Sequence, residues 1–160
     1  MADLDLSREE RALFNPAFTG LVCVRAVQGY EKKYGSACPL PVAVTAAVMA
    51  LQPSIRGALP ATTGTGLMRW LDENEDVRIA MGLNATALAT VVRPGLLFSL
   101  QTGVLSLQGS GLTVPPRSVK ALAYGHQQHT AIQKAAQQLG RWLPSTGSIS
   151  TVMTLLGVRA

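Results

Sequence analysis

No acidic residue follows Asp76 in this 160-residue chain. That excludes a carboxylate general acid or base anywhere in residues 77–160. The acids present fall mostly in two runs, Asp3 to Glu10 and Asp72 to Asp76, which read as solvated surface. Charged residues make up only 14% of the chain and aromatics 5%, so the core has to be built mainly from Leu, Val and Ala. No GxxxxGK[ST] stretch cradles a phosphate and no GxSxG presents a nucleophile. The two cysteines, Cys23 and Cys38, form no CxxC and read as reduced, buried thiols. The opening MADLDLSREERALFNP is acidic and polar, unlike a secretory signal or a transit peptide. The longest apolar stretch, Pro39 to Leu51, falls short of the ~20 residues that span a bilayer. A cytoplasmic protein with no membrane partner is the expectation.

What is present is apolar content of 48%, which argues against disorder. With so little charge to cover it, part of the surface is expected to meet a partner. The net charge of +5 is unevenly spread: residues 1–76 sum to −2 and residues 77–160 to +7. A basic, acid-free half attracts polyanions or an acidic partner surface, although its seven cations are scattered.

The chain reads mainly as helix, in a single domain over 1–160. Residues 1–13 read as a flexible arm. Asn15-Pro16 starts a helix, with Asn as cap and Pro in the first turn, and Gly35 stops it. PLPVAVTAAVMAL reads as a buried helix, and Pro53 and Pro60 bracket a short one. Thr62 to Gly66, TTGTG, offers threonine caps to a helix carrying Leu67, Trp70 and Leu71, and reads as a structural turn. Asp76 to Val92 reads as one or two helices. Arg93-Pro94 reads as a boundary, with Pro94 opening a short helix that Gly103 ends. Ser118 is the expected cap of a long C-terminal helix reaching about Leu143, followed by a last short helix from Ser148 or Ser150 to Gly157.

Between those helices, GVLSLQGSGLTVPP alternates Leu105, Leu107, Leu112 and Val114 with polar residues around Gly109-Ser110-Gly111. This is a β-hairpin with a glycine turn. A lone hairpin between two helices is how a winged helix ends. The expected fold is therefore mainly α, a winged-helix-like core over 39–116 with one wing and C-terminal helices over 117–160. The wing tip carries no Lys or Arg, and the helix before it, RPGLLFSLQTG, is nearly all apolar. Base readout needs Arg, Lys, Asn or Gln facing out, and phosphate binding needs charge. The hairpin thus suits contact with its own domain or with a protein, and any DNA contact falls to Arg93, Arg117 and Lys120.

His126 and His129 are the only histidines, spaced i, i+3 on the expected long helix. Two ligands on one face could begin a metal site, but a third would have to come from elsewhere. His129 falls in the apolar phase of Leu122, Ile132, Ala136 and Leu139, a packing position. No catalytic, cofactor or metal residue is assigned.

Short stretches in a particular order and spacing carry a resemblance. They are LFNPAF (13–18), QGY (28–30), PLPVAVTAAVMAL (39–51), GLMRWLDEN (66–74), RPGLLFSLQTGVLSL (93–107), LGRWLPSTG (139–147) and TLLGVR (154–159). With them the chain resembles the middle component of bacterial three-component ABC systems, encoded between an SMC-like ABC ATPase and a variable third protein. The resemblance implies a non-enzymatic, winged-helix-like adaptor that bridges the ATPase and an effector in an anti-phage or plasmid-defence complex, similar in layout to Lamassu-type systems. The alternative is a stand-alone winged-helix DNA-binding protein.

Overall fold

The computed structural model describes residues 8–122 and 127–158. Helix α1 (Arg8–Leu13) leads into α2 (Pro16–Tyr34); of the arm expected over 1–13, residues 1–7 lie outside the described residues and Arg8–Leu13 is helical. Leu13 packs against the core, which gives this stretch a reason to order. The Asn15 side chain accepts from the Ala17 N–H at 2.8 Å, as the Asn-Pro pair predicts. Gly35 closes α2 in the left-handed region at φ 66°, its N–H donating to the Glu31 carbonyl.

Helix α2 is the spine of the molecule: Val22, Cys23, Val24, Arg25, Ala26 and Val27 are all buried. It packs against α3 (Leu40–Ala50), α6 (Glu75–Gln101) and α7 (Gln127–Trp142). The short helices α4 (Pro53–Ala58) and α5 (Leu67–Glu73) lie between α3 and α6 in the chain. Thr62 to Gly66 is a turn, but Gly66 holds the cap position of α5 and no threonine side chain caps it. After α7 comes a 3-10 turn (Leu143–Thr146) and then α8 (Ile149–Leu155), capped by Ser148 and followed by Gly157 at φ 76°. Trp70 and Trp142 meet edge to face at 5.0 Å. Their indole N–H groups donate to the carbonyls of Ala58 and Thr65, fixing the loop between α4 and α5 to the core.

The two long crossings of α2 rest on glycine. A Cβ on Gly20 would strike the Gly95 carbonyl and the Ser99 hydroxyl, and one on Gly29 would strike the Gln137 carbonyl. The reciprocal positions, Gly95 and Gly140, would strike Thr19 and the Ala26 carbonyl. Backbones therefore touch directly where α2 meets α6 and where it meets α7.

The hairpin is present: β2 (Ser106–Gln108) pairs antiparallel with β3 (Gly111–Thr113) across the Gly109-Ser110 turn. A third strand, β1 (Cys38–Pro39), pairs with β3 through Cys38 and Leu112, giving the sheet order β1-β3-β2. Leu105 and Leu112 are buried, Val114 is half-buried, and Leu107 is 63% exposed.

Two expected boundaries are corrected. Helix α6 runs unbroken through Arg93-Pro94 for 27 residues. Pro94 is exposed, so the Thr90 carbonyl left without an amide partner lies on the solvent side, while Gly95 beside it is locked against α2. As one continuous element, α6 is also long and apolar enough to cross a membrane by length and composition, contrary to the expectation that no segment reaches that length. Its inner face, Val77, Met81, Ala85, Val92 and Leu96, is nonetheless part of the core.

The expected helix start at Ser118 is also absent: 118–122 is not helical, and the longest helix is α6 rather than α7. The Ser118 hydroxyl donates to the Val104 carbonyl at 3.1 Å, tying the chain to the base of the hairpin instead of capping a helix. Arg117, the residue before it, sits at φ 63°, a left-handed conformation that does not lead into a helix.

Cys23 and Cys38 are free and buried. Burial, with a smaller contribution from the neighbouring Cys38, pushes the Cys23 thiol up to about 12; burial and then Glu31 do the same for Cys38. The thiolate is the nucleophile, so neither side chain reacts in the folded state. A thiol-reactive dye at pH 8 labels neither cysteine in native protein and both in denaturant; rapid native labelling contradicts this packing. Folded thiols also hold their protons to higher pH than unfolded ones. Their contribution is full below the ordinary value of 9.0 and is lost as pH rises toward 12.

Candidate functional site

The inner face of α6 is spent on the core, and its outer face carries little charge. Ile79, Leu83, Ala87, Thr90, Pro94 and Leu97 recur at spacings of three and four, which places them in one stripe along a helix about 40 Å long. Leu83 is 77% exposed, Ile79 60% and Leu97 55%. Phe98 extends the stripe at its C-terminal end and is 41% exposed. Single exposed apolar side chains are ordinary, but a row of them along one helix is the form a partner-binding face takes.

Ala87 also lines an apolar cleft of about 290 Å³ with Phe14, Leu51, Pro53, Leu88 and Val91. The cleft floor is held by Gln52, whose amide donates to the Val48 carbonyl and whose oxygen accepts from the Asn84 amide. The stripe and the cleft therefore meet at Ala87.

The sequence-predicted cations do not form one site. Arg117 lines a cleft with Gln28, Glu31 and Lys32 of α2. The Lys120 carbonyl accepts from buried Arg25 at 3.0 Å, while the Lys120 side chain is exposed. Arg93 is exposed on α6. What the structure adds is Arg25, Lys32 and Arg141, which line one cavity. The sequence held one signal for this: Arg25 lies in the buried phase of α2, three residues after Val22 and four before Gly29.

His129 stacks on Phe18 with ring centroids 4.7 Å apart, a packing role consistent with its phase on α7. His126 lies outside the described residues. Among the described residues no three of His, Cys, Asp and Glu gather as a metal site requires. Asp72, Glu73, Glu75 and Asp76 are exposed, as expected of a solvated run.

Neither a curated protein nor a solved structure matches the chain. A family model described as ABC-three component (ABC-3C) system Middle Component 3 matches residues 4–160.

Proposed function

Because the chain belongs to the Middle Component 3 family of ABC-three component systems, we propose that it is a non-enzymatic adaptor that bridges an SMC-like ABC ATPase and an effector in a cytoplasmic anti-phage or plasmid-defence complex. The observation that carries this reading is the outward stripe of α6, with Ile79, Leu83 and Leu97 each more than half exposed. An apolar helix face docks into a groove of a partner through anchors at this spacing. The exposed Leu107 of the hairpin adds a second apolar contact.

The topology supports a winged-helix-like reading of the fold. After α1 come helix, strand and helix (α2, β1, α3), α6 precedes the hairpin, and β1 joins the hairpin in the order β1-β3-β2. The wing tip is Gly109-Ser110 and uncharged, which favours protein over phosphate as its neighbour. Affinity purification of the tagged chain from cells expressing all three components tests the reading. The ATPase is retained; a chain recovered alone as a monomer contradicts it.

A second reading, a stand-alone DNA-binding protein, draws on the basic flank after the hairpin, where Arg117 lies near Lys32 and Lys120 near Arg25. It predicts duplex binding that weakens steeply with salt, by about 0.9 in the log–log slope for each phosphate neutralised. The triple change Arg93→Glu, Arg117→Glu, Lys120→Glu then removes binding at low salt. Wild-type protein that binds no DNA at low ionic strength eliminates this reading.

A further inference from the structure

Beside the glycine crossing of α2 and α7 lies a cavity of about 300 Å³ that the adaptor reading leaves unused. Arg25, Gln28 and Lys32 enter it from α2, and Gln137 and Arg141 from α7. These positions are fixed by helical spacing: three and four residues apart on α2, and four apart on α7. The walls are rigid there, because Gly29 and Gly140 bring the two backbones into contact.

Among the described residues the cavity holds charge without a counter-charge. Arg25 is only 4% exposed. Three of its guanidinium nitrogens donate to neutral acceptors: Nε to Gln133 Oε1 at 2.9 Å, NH1 to Gln28 Oε1 at 2.9 Å, and NH2 to the Lys120 carbonyl at 3.0 Å. A guanidinium has five N–H donors, and three of them are taken up by these bonds among the described residues. Arg141 has its Nε buried with no hydrogen-bond partner. Lys32 adds a third cation at the rim.

No carboxylate answers them among the described residues. The one ion pair found there is Arg69–Glu73, on α5. Neither α7 nor the chain from the hairpin to α7 contains an acid to contribute. Glu31, the acid closest in sequence, already accepts from the Val114 N–H at 2.8 Å. Burial lowers the Arg25 pKa, the direction expected of a charge held out of water without compensation. An isolated buried charge is costly, and an orphaned buried N–H adds to the cost. A small anion seated beside both guanidinium groups supplies the missing counter-charge.

We propose that this cavity is a binding site for a phosphate dianion, held between the guanidinium groups of Arg25 and Arg141 with Lys32 at the entrance. Two guanidinium forks and an ammonium match a compact dianion with several acceptor oxygens better than a single carboxylate. The group can be free phosphate or the terminal phosphate of a nucleoside monophosphate. The site is independent of what α6 docks against, so it stands or falls separately from the adaptor reading.

The test is calorimetric titration of the full chain with inorganic phosphate and, separately, with AMP at constant ionic strength. Both arms are expected to show saturable one-to-one binding. Tighter binding of AMP by tenfold or more assigns a nucleotide, and equal affinity assigns free phosphate. Arg25→Gln removes three packing bonds and can unfold the chain, so Arg141→Gln and Lys32→Gln are the deciding variants. Arg141→Gln weakens binding by at least tenfold with an unchanged melting temperature in the absence of phosphate, and Lys32→Gln weakens it less. No saturable heat from either anion, or an Arg141→Gln chain that binds as wild type does, overturns the proposal.

Discussion

A Gly29→Ala chain melts roughly 6–12 °C below wild type. The added methyl group has nowhere to go, because its Cβ would lie inside the contact radius of the Gln137 backbone carbonyl. A flexible side chain could swing aside, but a helix backbone cannot, so α7 must move off α2 to admit it. Overpacking of this kind costs typically 1–3 kcal/mol, and a backbone obstacle sets the expectation at the upper end, about 3 kcal/mol. For a chain of this size each kcal/mol moves the midpoint by about 2–4 °C. Gly140→Ala meets the Ala26 carbonyl at the same crossing and has a similar effect. The double variant falls short of the sum, since helices already parted by one methyl group admit the second more easily. Gly82→Ala is the control: nothing lies within 4 Å of its Cβ, and alanine is the better helix former by about 0.5–1 kcal/mol. Its melting temperature is equal to or above that of wild type. Thermal melts followed by circular dichroism decide the matter, and a Gly29→Ala chain that melts with wild type contradicts the described crossing.

The second large effect falls on assembly rather than on folding. Leu83→Glu with Leu97→Glu removes two anchors from the outer stripe of α6 and puts charge where the partner groove is apolar. Burying each leucine is worth about 1.5–3 kcal/mol, so the pair accounts for about 4 kcal/mol and about a thousandfold in Kd. The ATPase is then lost from the affinity-purified material. Leu83 and Leu97 are 77% and 55% exposed, so the double variant keeps the wild-type melting temperature within a few degrees. A matched change of Val77 and Met81 to Glu on the inner face unfolds the chain instead, since both are buried. Retention of the ATPase by the Leu83, Leu97 variant moves the interface off α6.

The parts of this fold that could be read from sequence are those decided within a few residues. Asn15-Pro16 and Gly35 bound α2 because a cap, a proline and a left-handed glycine act locally. The hairpin followed from alternation around a glycine turn, and α8 from a serine cap, which the structure assigns to Ser148, and from Gly157. The parts that misled are those decided by tertiary contact. β1 is two residues long and exists because Cys38 and Pro39 lie beside β3. Helix α6 passes through Pro94 because the lost hydrogen bond faces water while Gly95 is held against Gly20 and Thr19. The helix expected from Ser118 is displaced by two distant partners, the Val104 carbonyl that takes its hydroxyl and Arg25, which takes the Lys120 carbonyl.

The candidate site divides in the same way. The apolar character of the segment before the hairpin was plain in RPGLLFSLQTG, and Leu97 and Phe98 are indeed exposed. That this face continues back to Ile79 required α6 to be one helix. Arg93, Arg117 and Lys120 group by charge and by lying on either side of the hairpin in the chain, and the structure places the last two near a common flank of α2. The cavity between Arg25 and Arg141 joins positions 116 residues apart in sequence, and its one local signal was the place of Arg25 in the buried phase of α2.

The central claim is that the chain bridges two partners through an apolar helix face. Its most direct test is the mass of assemblies formed by the purified ABC ATPase and the effector, measured by mass photometry with and without this chain. The account predicts a ternary assembly containing all three when the chain is present, and no ATPase–effector assembly when it is omitted. An ATPase and effector that associate equally well without it, while the chain stays a free monomer, would contradict the account.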